Sequence, residues 1–200
     1  MKSDIIKLTG DIDSLKAVLS ETEKTASYAQ LDKKQGGRLR LLSEELVEML
    51  PSLLAFSVGE FWIDCDGKSF ELHTSLTPNE AMTSERRDEL LSVSKSGKNA
   101  AATGIMAKIR LAATFMMIDY EKNAAEMPAD YGFYHDGMGG SSYFTTSAWS
   151  LSAYRMNAGK EKGEEWDELE KSIVANLADD VLVGVEGKKV EIIVKKNFGS

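Results

Sequence analysis

Apolar residues recur at helical spacing in two segments near the start of the chain. Residues 11–31 are predicted to form a helix that begins after Asp11, a residue typical of helix N-caps, with apolar positions at Leu15, Val18, Leu19 and Ala26. The pair Gly36-Gly37 is expected to separate this helix from the next. The following stretch, RLRLLSEELVEML, carries a second apolar face formed by Leu39, Leu42, Leu46, Met49 and Leu50. Pro51 is expected to end this second helix.

Two later regions alternate apolar and polar residues, as strands do. The first, LLAFSVGEFWID followed by KSFELHTSL, is split by Asp66-Gly67, a strong signal for a hairpin turn. One side of its first strand is predicted to carry Phe56, Val58 and Trp62, and one side of its second strand Phe70, Leu72, Thr74 and Leu76. The second, DVLVGVEGKKVEIIVKK, turns at Glu186-Gly187 and repeats apolar residues at Val181, Val183, Val185, Val190, Ile192 and Val194. Both regions therefore predict antiparallel hairpins.

Further helices are predicted between the two hairpins, over residues 83–93, 104–122 and 164–177. Residues 127–160 are rich in glycine, tyrosine and serine at first and show no clear period, which favours an inserted loop or lid. Helices must cover the apolar face of each hairpin. The expected fold is a single α+β domain over residues 1–200, a two-layer α/β sandwich with a mostly antiparallel sheet covered by helices on one face.

Composition narrows the classes of function. The net charge of −8 disfavours general attraction to nucleic acid. Cys65 is the only cysteine, which excludes an internal disulfide and a zinc site built on cysteines, and with only His73 and His135 no metal site is expected. No stretch approaches the roughly 20 apolar residues of a membrane span, and MKSDIIKLTGDIDS lacks the apolar core of a signal peptide. A cytoplasmic location and a partner that is a protein or a small molecule are expected.

Glu45 is the first candidate for a functional residue. It follows Leu42 by three positions and precedes Met49 by four, so it lies on the apolar side of its helix. A carboxylate there either lines a pocket, where it orients a ligand or water, or lies at the edge of the apolar face and reaches solvent. The pattern leaves both interpretations open.

The stretch SVSKSGKNAAATGIMAKIR, residues 92–110, is the second candidate. Its hydroxyls, backbone N–H groups and lysine stand just before a predicted helix, where the helix dipole favours anions. The residues that would hold a phosphate are Ser94, Ser96, Gly97, Lys98, Asn99 and Gly104. The phosphate-loop pattern G-x-x-x-x-G-K-[ST] is not met, because Ser92 stands five residues before Gly97. A plain turn and helix entry remains the alternative.

Other polar residues favour structural roles. His73 falls on the polar side of a strand and is expected at the surface, whereas Cys65 adjoins a hairpin turn with no basic neighbour to lower its pKa. The segment HDGMGGSSY lacks the G-x-S-x-G pattern of a nucleophile and is expected to be a solvated loop.

The order of these elements, together with RLLSEELVEML, resembles the histidine-kinase-like ATPase domain in its compact anti-sigma-factor type. That family has a helix of the form L-x-x-E-x-x-x-N before a hairpin, then glycine-rich loops, a helix and a closing hairpin. Leu42 and Glu45 match the helix motif, SGKNAAATGIMAKI resembles the glycine-rich loop, and VLVGVEGKKVEIIVKK resembles the closing strands. The resemblance implies that ATP or ADP binds and that Glu45 activates water.

Departures from the family pattern bear on catalysis. Met49 stands where the family has a magnesium-binding asparagine, and a thioether is a poor ligand for magnesium. The family's D-x-G-x-G is replaced by SLTPNEAMTSERRDELL, which has no glycine.

Three functions are therefore compared. The first is a regulatory protein that binds a protein partner, with or without a nucleotide, and has little or no catalysis. The second is an active ATP-dependent enzyme, an ATPase or an anti-sigma-type serine kinase, with Lys98 on the phosphate and Glu45 as base. The third is an assembly module without a ligand.

Overall fold

The computed structural model describes residues 1–9, 11–53, 56–79, 109, 133–134, 148–158, 172–186 and 189–199. Its helices are α1 (Ile12–Tyr28), α2 (Lys33–Leu53), α3 (Leu151–Ala158) and α4 (Ile173–Leu177). Its strands are β1 (Ile6–Leu8), β2 (Phe56–Asp66), β3 (Ser69–Pro78), β4 (Phe133–Tyr134), β5 (Ala148–Ser150), β6 (Asp180–Glu186) and β7 (Lys189–Asn197).

The described strands form one antiparallel sheet in the order β1-β2-β3-β7-β6-β5-β4. Strand β3 pairs with β7 from Ser69 opposite Asn197 to Leu76 opposite Val190. The two predicted hairpins, β2–β3 and β6–β7, are therefore parts of the same sheet. The expected α+β class with a mostly antiparallel sheet is confirmed for the described residues.

Helix α1 begins where the sequence predicts. Asp11 is extended, and its Oδ1 accepts a hydrogen bond of 2.8 Å from the Ser14 N–H. This bond and a second one from the Thr9 hydroxyl lower the pKa of the Asp11 carboxyl, because both favour its ionised form. The N-cap thus satisfies one of the N–H groups that the first helical turn leaves open.

Helix α2 differs from its predicted bounds at both ends. It begins at Lys33 and runs through Gly36 and Gly37, where a break was expected. The start is fixed upstream by a reciprocal cap, in which Asp32 Oδ1 accepts from the Gln35 N–H at 2.8 Å and Gln35 Oε1 accepts from the Asp32 N–H at 3.2 Å. The chain turns instead at Gln30, whose φ of 53° is positive.

Pro51 does not end α2, which continues to Leu53. Proline removes one backbone donor and disturbs the turn before it. Because Pro51 lies in the last turn, the helix ends soon after it, and the prediction was wrong by two residues.

One hydrophobic core joins α1 and α2 to the face of the sheet that we call the inner face. The opposite face is the outer face. Inward-facing residues from four strands share a cluster with Leu39, Leu42, Leu46 and Leu50 of α2, and they include Phe61, Ile63, Phe70, Leu72, Val181, Val183, Val190, Ile192 and Val194. Alternation was predicted correctly in β3, β6 and β7, whereas in β2 the predicted set of Phe56, Val58 and Trp62 includes Val58, which is exposed, and the core takes Phe61 and Ile63 instead.

The central strands are buried on both faces. Leu182 and Ile193 pair across β6 and β7 on the outer face and are 2% and 1% exposed. His73 and Ser75 of β3 lie on the same face and are also buried. Continuous burial of this kind is typical of strands covered on both sides. The two-layer sandwich with helices on one face stays a prediction.

The segment predicted as an insertion, residues 127–160, contains β4, β5 and α3 among its described residues. Trp149 of β5 is 1% exposed and belongs to the core. Asp180 at the start of β6 holds the first turn of α3, because its carboxylate accepts from the Ser152 N–H and hydroxyl, both at 2.9 Å. Residues 148–158 are thus integrated into the sheet and its core.

Candidate functional site

Glu45 lies at the edge of the buried face of α2. Its neighbours Leu42 and Leu46 are fully buried, whereas Glu45 itself is partly exposed. No hydrogen bond or ion pair joins its carboxylate to another residue in the described ranges. This partial exposure agrees with the interpretation that Glu45 lies at the edge of the apolar face and reaches solvent.

The predicted phosphate-binding residues cannot be placed beside Glu45. Ser94, Ser96, Gly97, Lys98, Asn99 and Gly104 all lie outside the described residues. So do residues 83–93, 135–143 and 166. The nucleotide site therefore stays a prediction.

A different group of side chains converges on the outer face of β2 and β3. Trp62 and His73 are direct cross-strand partners, and their rings stack with centroids 4.8 Å apart and planes 7° from parallel. His73 is only 4% exposed, so the prediction that it lies at the surface was wrong. The indole of Trp62 covers one face of the imidazole.

Charged groups surround this stack. Asp64 Oδ2 lies 3.3 Å from His73 Nε2 and accepts a hydrogen bond of 3.1 Å from Trp62 Nε1. Glu71 Oε2 lies 3.7 Å from the same nitrogen of His73. Lys195 Nζ of β7 lies 3.3 Å from Glu71 Oε1. Lys2 Nζ lies 4.6 Å from the centroid of the Trp62 ring, a distance typical of a cation–π contact.

The pKa of His73 results from opposed effects. Burial lowers it, because the imidazolium loses its hydration. The carboxylates of Asp64 and Glu71 raise it, and the ammonium groups of Lys2 and Lys195 lower it. Burial dominates, so the neutral imidazole is favoured in the folded protein.

Lys2 belongs to a short segment, Met1–Ser3, that we call the N-terminal strap. The strap continues the edge of the sheet beyond β1 by pairing with β2. Ser3 N donates to the Ile63 carbonyl at 2.8 Å, Ile63 N donates to Ser3 Oγ at 2.8 Å, and Cys65 N donates to the Met1 carbonyl at 2.7 Å. Lys2 and Asp64 face each other across this pairing.

Two shallow grooves flank the strap near the β2–β3 turn. One, of about 580 Å³, is lined by Met1, Lys2, Asp64, Cys65, Asp66, Ser69 and Glu71. The other, of about 430 Å³, lies between the same turn and residues 28–30. Neither groove is lined by Glu45.

Cys65 lies under the strap with its thiol buried. Burial raises the pKa of the Cys65 thiol, although the nearby N-terminal ammonium opposes this shift. The thiol is therefore held in its neutral, unreactive form.

The sequence contained one signal for the outer-face group that periodicity alone did not identify. Trp62 and His73 each stand five residues from the Gly67-Lys68 pair, so a two-residue loop there makes them neighbours, whereas a loop at the predicted Asp66-Gly67 would pair Trp62 with Glu71. Cross-strand pairing, combined with the size of the indole, predicts that the histidine is covered.

In the described ranges, no group of three or more histidine, cysteine or acidic side chains is arranged to hold a metal ion, and no helix is long and apolar enough to cross a membrane. No protein-family model, curated protein or solved structure matches this chain. The resemblance to histidine-kinase-like ATPases therefore stays a prediction from the sequence.

Proposed function

We propose that this chain is a regulatory protein that acts by binding a protein partner at the edge of its sheet beside β1, with ATP or ADP as an accessory ligand. The observation that carries the partner site is the exposure of apolar side chains at this edge. Met1 of the strap is 48% exposed, Val58 of β2 is 43% exposed, and Ile5, between the strap and β1, is 55% exposed. Exposed apolar residues grouped at a sheet edge favour protein contacts.

The same edge of the sheet also offers backbone N–H and C=O groups with which a partner strand can pair. Strand β1 lies at one end of the strand order, so one row of its N–H and C=O groups points away from β2. Glu21 of α1 already accepts the Asp4 N–H at 3.3 Å, which leaves Ile6–Leu8 as the part that a partner can pair with. An extended segment that adds a strand to β1 is the partner that this geometry fits.

The positive charge of Lys7 favours partner segments that carry an acidic residue. Lys7 is exposed in the middle of β1, and its cross-strand neighbour Glu60 lies 4.0 Å from Lys189. An acidic side chain at the matching position of the partner would therefore meet Lys7. We assign the partner as an extended segment that alternates apolar and acidic residues.

The nucleotide part of the proposal is supported only by the order of the helices and strands and by their arrangement in one sheet. A helix that carries Glu45 precedes one hairpin, a second hairpin follows later in the chain, and β3 and β7 join the two in one sheet. This is the arrangement that the family resemblance implies. Ser94, Ser96, Gly97, Lys98, Asn99 and Gly104 would hold the phosphates, and with Met49 in place of asparagine we propose little or no turnover.

The partner site is tested by comparing the wild type and three variants in cross-linking captures followed by binding to the purified partner. Ile5→Asp and Lys7→Glu change exposed side chains at the edge, and Lys33→Glu, at the start of α2, makes the same charge change elsewhere. We expect the two edge variants to lose a partner that the wild type and Lys33→Glu retain. Equal binding by all proteins would contradict the site, and a partner that is a second copy would appear as a dimer in sedimentation.

The nucleotide is tested by thermal unfolding with ATP or ADP, with and without magnesium. A ligand at a hundredfold excess over its Kd stabilises the folded state by about 2.7 kcal/mol. We expect Lys98→Ala to abolish the shift and Lys16→Ala, on an exposed lysine of α1, to retain it. No shift in the wild type would remove the nucleotide from the proposal, and ATP turnover lost in Glu45→Ala would favour the enzyme.

A further inference from the structure

Lys2, Trp62 and His73 form a column across three adjacent strands. The Lys2 ammonium lies 4.6 Å from the Trp62 ring, and the imidazole of His73 stacks 4.8 Å from the same ring. Because β2 lies between the strap and β3, the indole separates the ammonium from the imidazole. One aromatic ring is thus shared by a cation and by a group that can become a cation.

Each described element around His73 contributes one charged group. Asp64 comes from β2, Glu71 from β3, Lys195 from β7 and Lys2 from the strap. With His73 neutral, two carboxylates balance two ammonium groups. A proton on His73 adds a third positive charge beside the indole that Lys2 contacts.

We propose that His73 and Lys2 form a proton-sensitive latch, in which protonation of His73 weakens the contact of Lys2 with Trp62 and loosens the N-terminal strap from β2. Two effects act in the same direction. The imidazolium repels the ammonium, and it draws Asp64, the cross-strand neighbour of Lys2, into an ion pair. In addition, the ammonium of Lys2 and the imidazolium of His73 would then both contact the ring of Trp62.

The latch has a thermodynamic counterpart that can be measured. If protonation of His73 disfavours the docked Lys2, then docked Lys2 must disfavour protonation of His73 by the same free energy. Removal of the Lys2 charge therefore has a defined sign. This inference goes beyond the proposed function and does not depend on the identity of the partner.

Loosening of the strap has a structural consequence. The strap occupies backbone groups of Ile63 and Cys65 along the edge of β2. When it leaves, these N–H groups become accessible to solvent or to another strand. Through the latch, a fall in pH therefore increases the length of the β2 edge that is open to solvent or to another strand.

The first test is an NMR titration of the two histidines in the wild type, Lys2→Gln and Lys16→Gln. The His73 signal is assigned by its loss in His73→Gln. We expect the midpoint of His73 to move to higher pH in Lys2→Gln and to stay in place in Lys16→Gln, which removes the same charge from an exposed site. An unchanged midpoint in Lys2→Gln, or a His73 that does not titrate before the chain unfolds, would overturn the latch.

The second test is amide hydrogen exchange at about pH 8 and about pH 5, with each rate corrected for its intrinsic dependence on pH. We expect the Ile63 and Cys65 amides to lose protection at the lower pH while Ile192, in the centre of the sheet, keeps it. His73→Gln should show the same protection at both values. Equal protection of Ile63 and Cys65 at the two pH values in the wild type, or an equal loss in His73→Gln, would contradict the proposal.

Discussion

Gly59 of β2 and Leu76 of β3 are cross-strand partners, and a Cβ atom at Gly59 would lie 2.9 Å from Leu76 Cδ2 and 3.0 Å from Leu8 Cβ. The glycine thus allows β1, β2 and β3 to approach each other at one point. Strand β2 also has a register irregularity between Phe56 and Val58, immediately before this contact.

We expect Gly59→Ala to destabilise the protein by about 1–3 kcal/mol, because Leu8 and Leu76 must move to admit one methyl group. Gly37→Ala is the matched control. A Cβ atom at Gly37 meets nothing within 4 Å, and alanine favours the helix by about 0.5–1 kcal/mol. Urea unfolding measures both changes, and equal effects of the two substitutions would show that Gly59 is not in close contact.

The two N-terminal helices share a buried pair of hydroxyls. Thr22 Oγ1 of α1 lies 2.9 Å from Ser43 Oγ of α2, and both residues are fully buried. Each hydroxyl has one proton, so the pair can use only two of the three contacts formed with each other, with the Val18 carbonyl and with the Leu39 carbonyl.

We expect Thr22→Val to cost about 1–2 kcal/mol, because the shape is kept and a buried hydrogen bond is lost. Adding Ser43→Ala to this variant should cost less than Ser43→Ala alone costs, because the partner is already absent. Ser27→Ala, at an exposed hydroxyl of α1, is the control and should change stability by no more than about 0.5 kcal/mol. Strictly additive effects at positions 22 and 43 would argue against the pair.

His73 makes stability depend on pH with a defined sign. Its pKa is lowered in the folded protein by burial, so the unfolded chain binds more protons at mildly acidic pH. The contribution of neutral His73 is complete above its unfolded pKa, about 6.5, and is lost progressively as the pH falls below that value. We expect the urea midpoint of the wild type to fall between about pH 7.5 and about pH 5 more steeply than that of His73→Gln. Identical slopes would show that burial does not control this histidine.

Burial of the outer face can be tested at Ile193. This residue of β7 is 1% exposed on the face opposite α1 and α2, and Ile193→Ala should cost about 2–5 kcal/mol. Val58→Ala truncates an exposed aliphatic residue of β2 and should change stability by about 0.5 kcal/mol or less. Similar costs for the two variants would show that Ile193 is not buried.

The sequence pattern predicted the structural elements that depend on residues close together in the chain. The Asp11 cap, the hairpin turn before Ser69 and the inward alternation of Val190, Ile192 and Val194 all depend on residues close in sequence. Gly67 is an example of such a local signal. Its positive φ of 58° is available to glycine at little cost, and the turn that it forms fixes the register of β2 on β3.

One pattern failed for a local reason, and others failed where residues distant in sequence decide the structure. Gly36 was expected to break the helix, but Asp32 and Gln35 cap α2 upstream, and a side chain at Gly36 would come no closer than 3.8 Å to Ala26. Burial of Leu182 and Ile193 is visible in the sequence only as apolar residues out of phase with their strands. The candidate site has the same limit, since Lys2 reaches Trp62 through an edge pairing 60 residues apart in sequence, where Ser3 meets Ile63.

Strand β7 lies beside β3 in the middle of the sheet although the two are distant in sequence. Leu76 and Val190 are paired, so more than a hundred residues must be synthesised between the two strands before the centre of the sheet can form. Folding rates fall as such separations grow. During synthesis on the ribosome, the first hairpin therefore has the edge of β3 unpaired until β7 is made, and a chaperone or a slow step is expected to protect this edge from pairing with other chains.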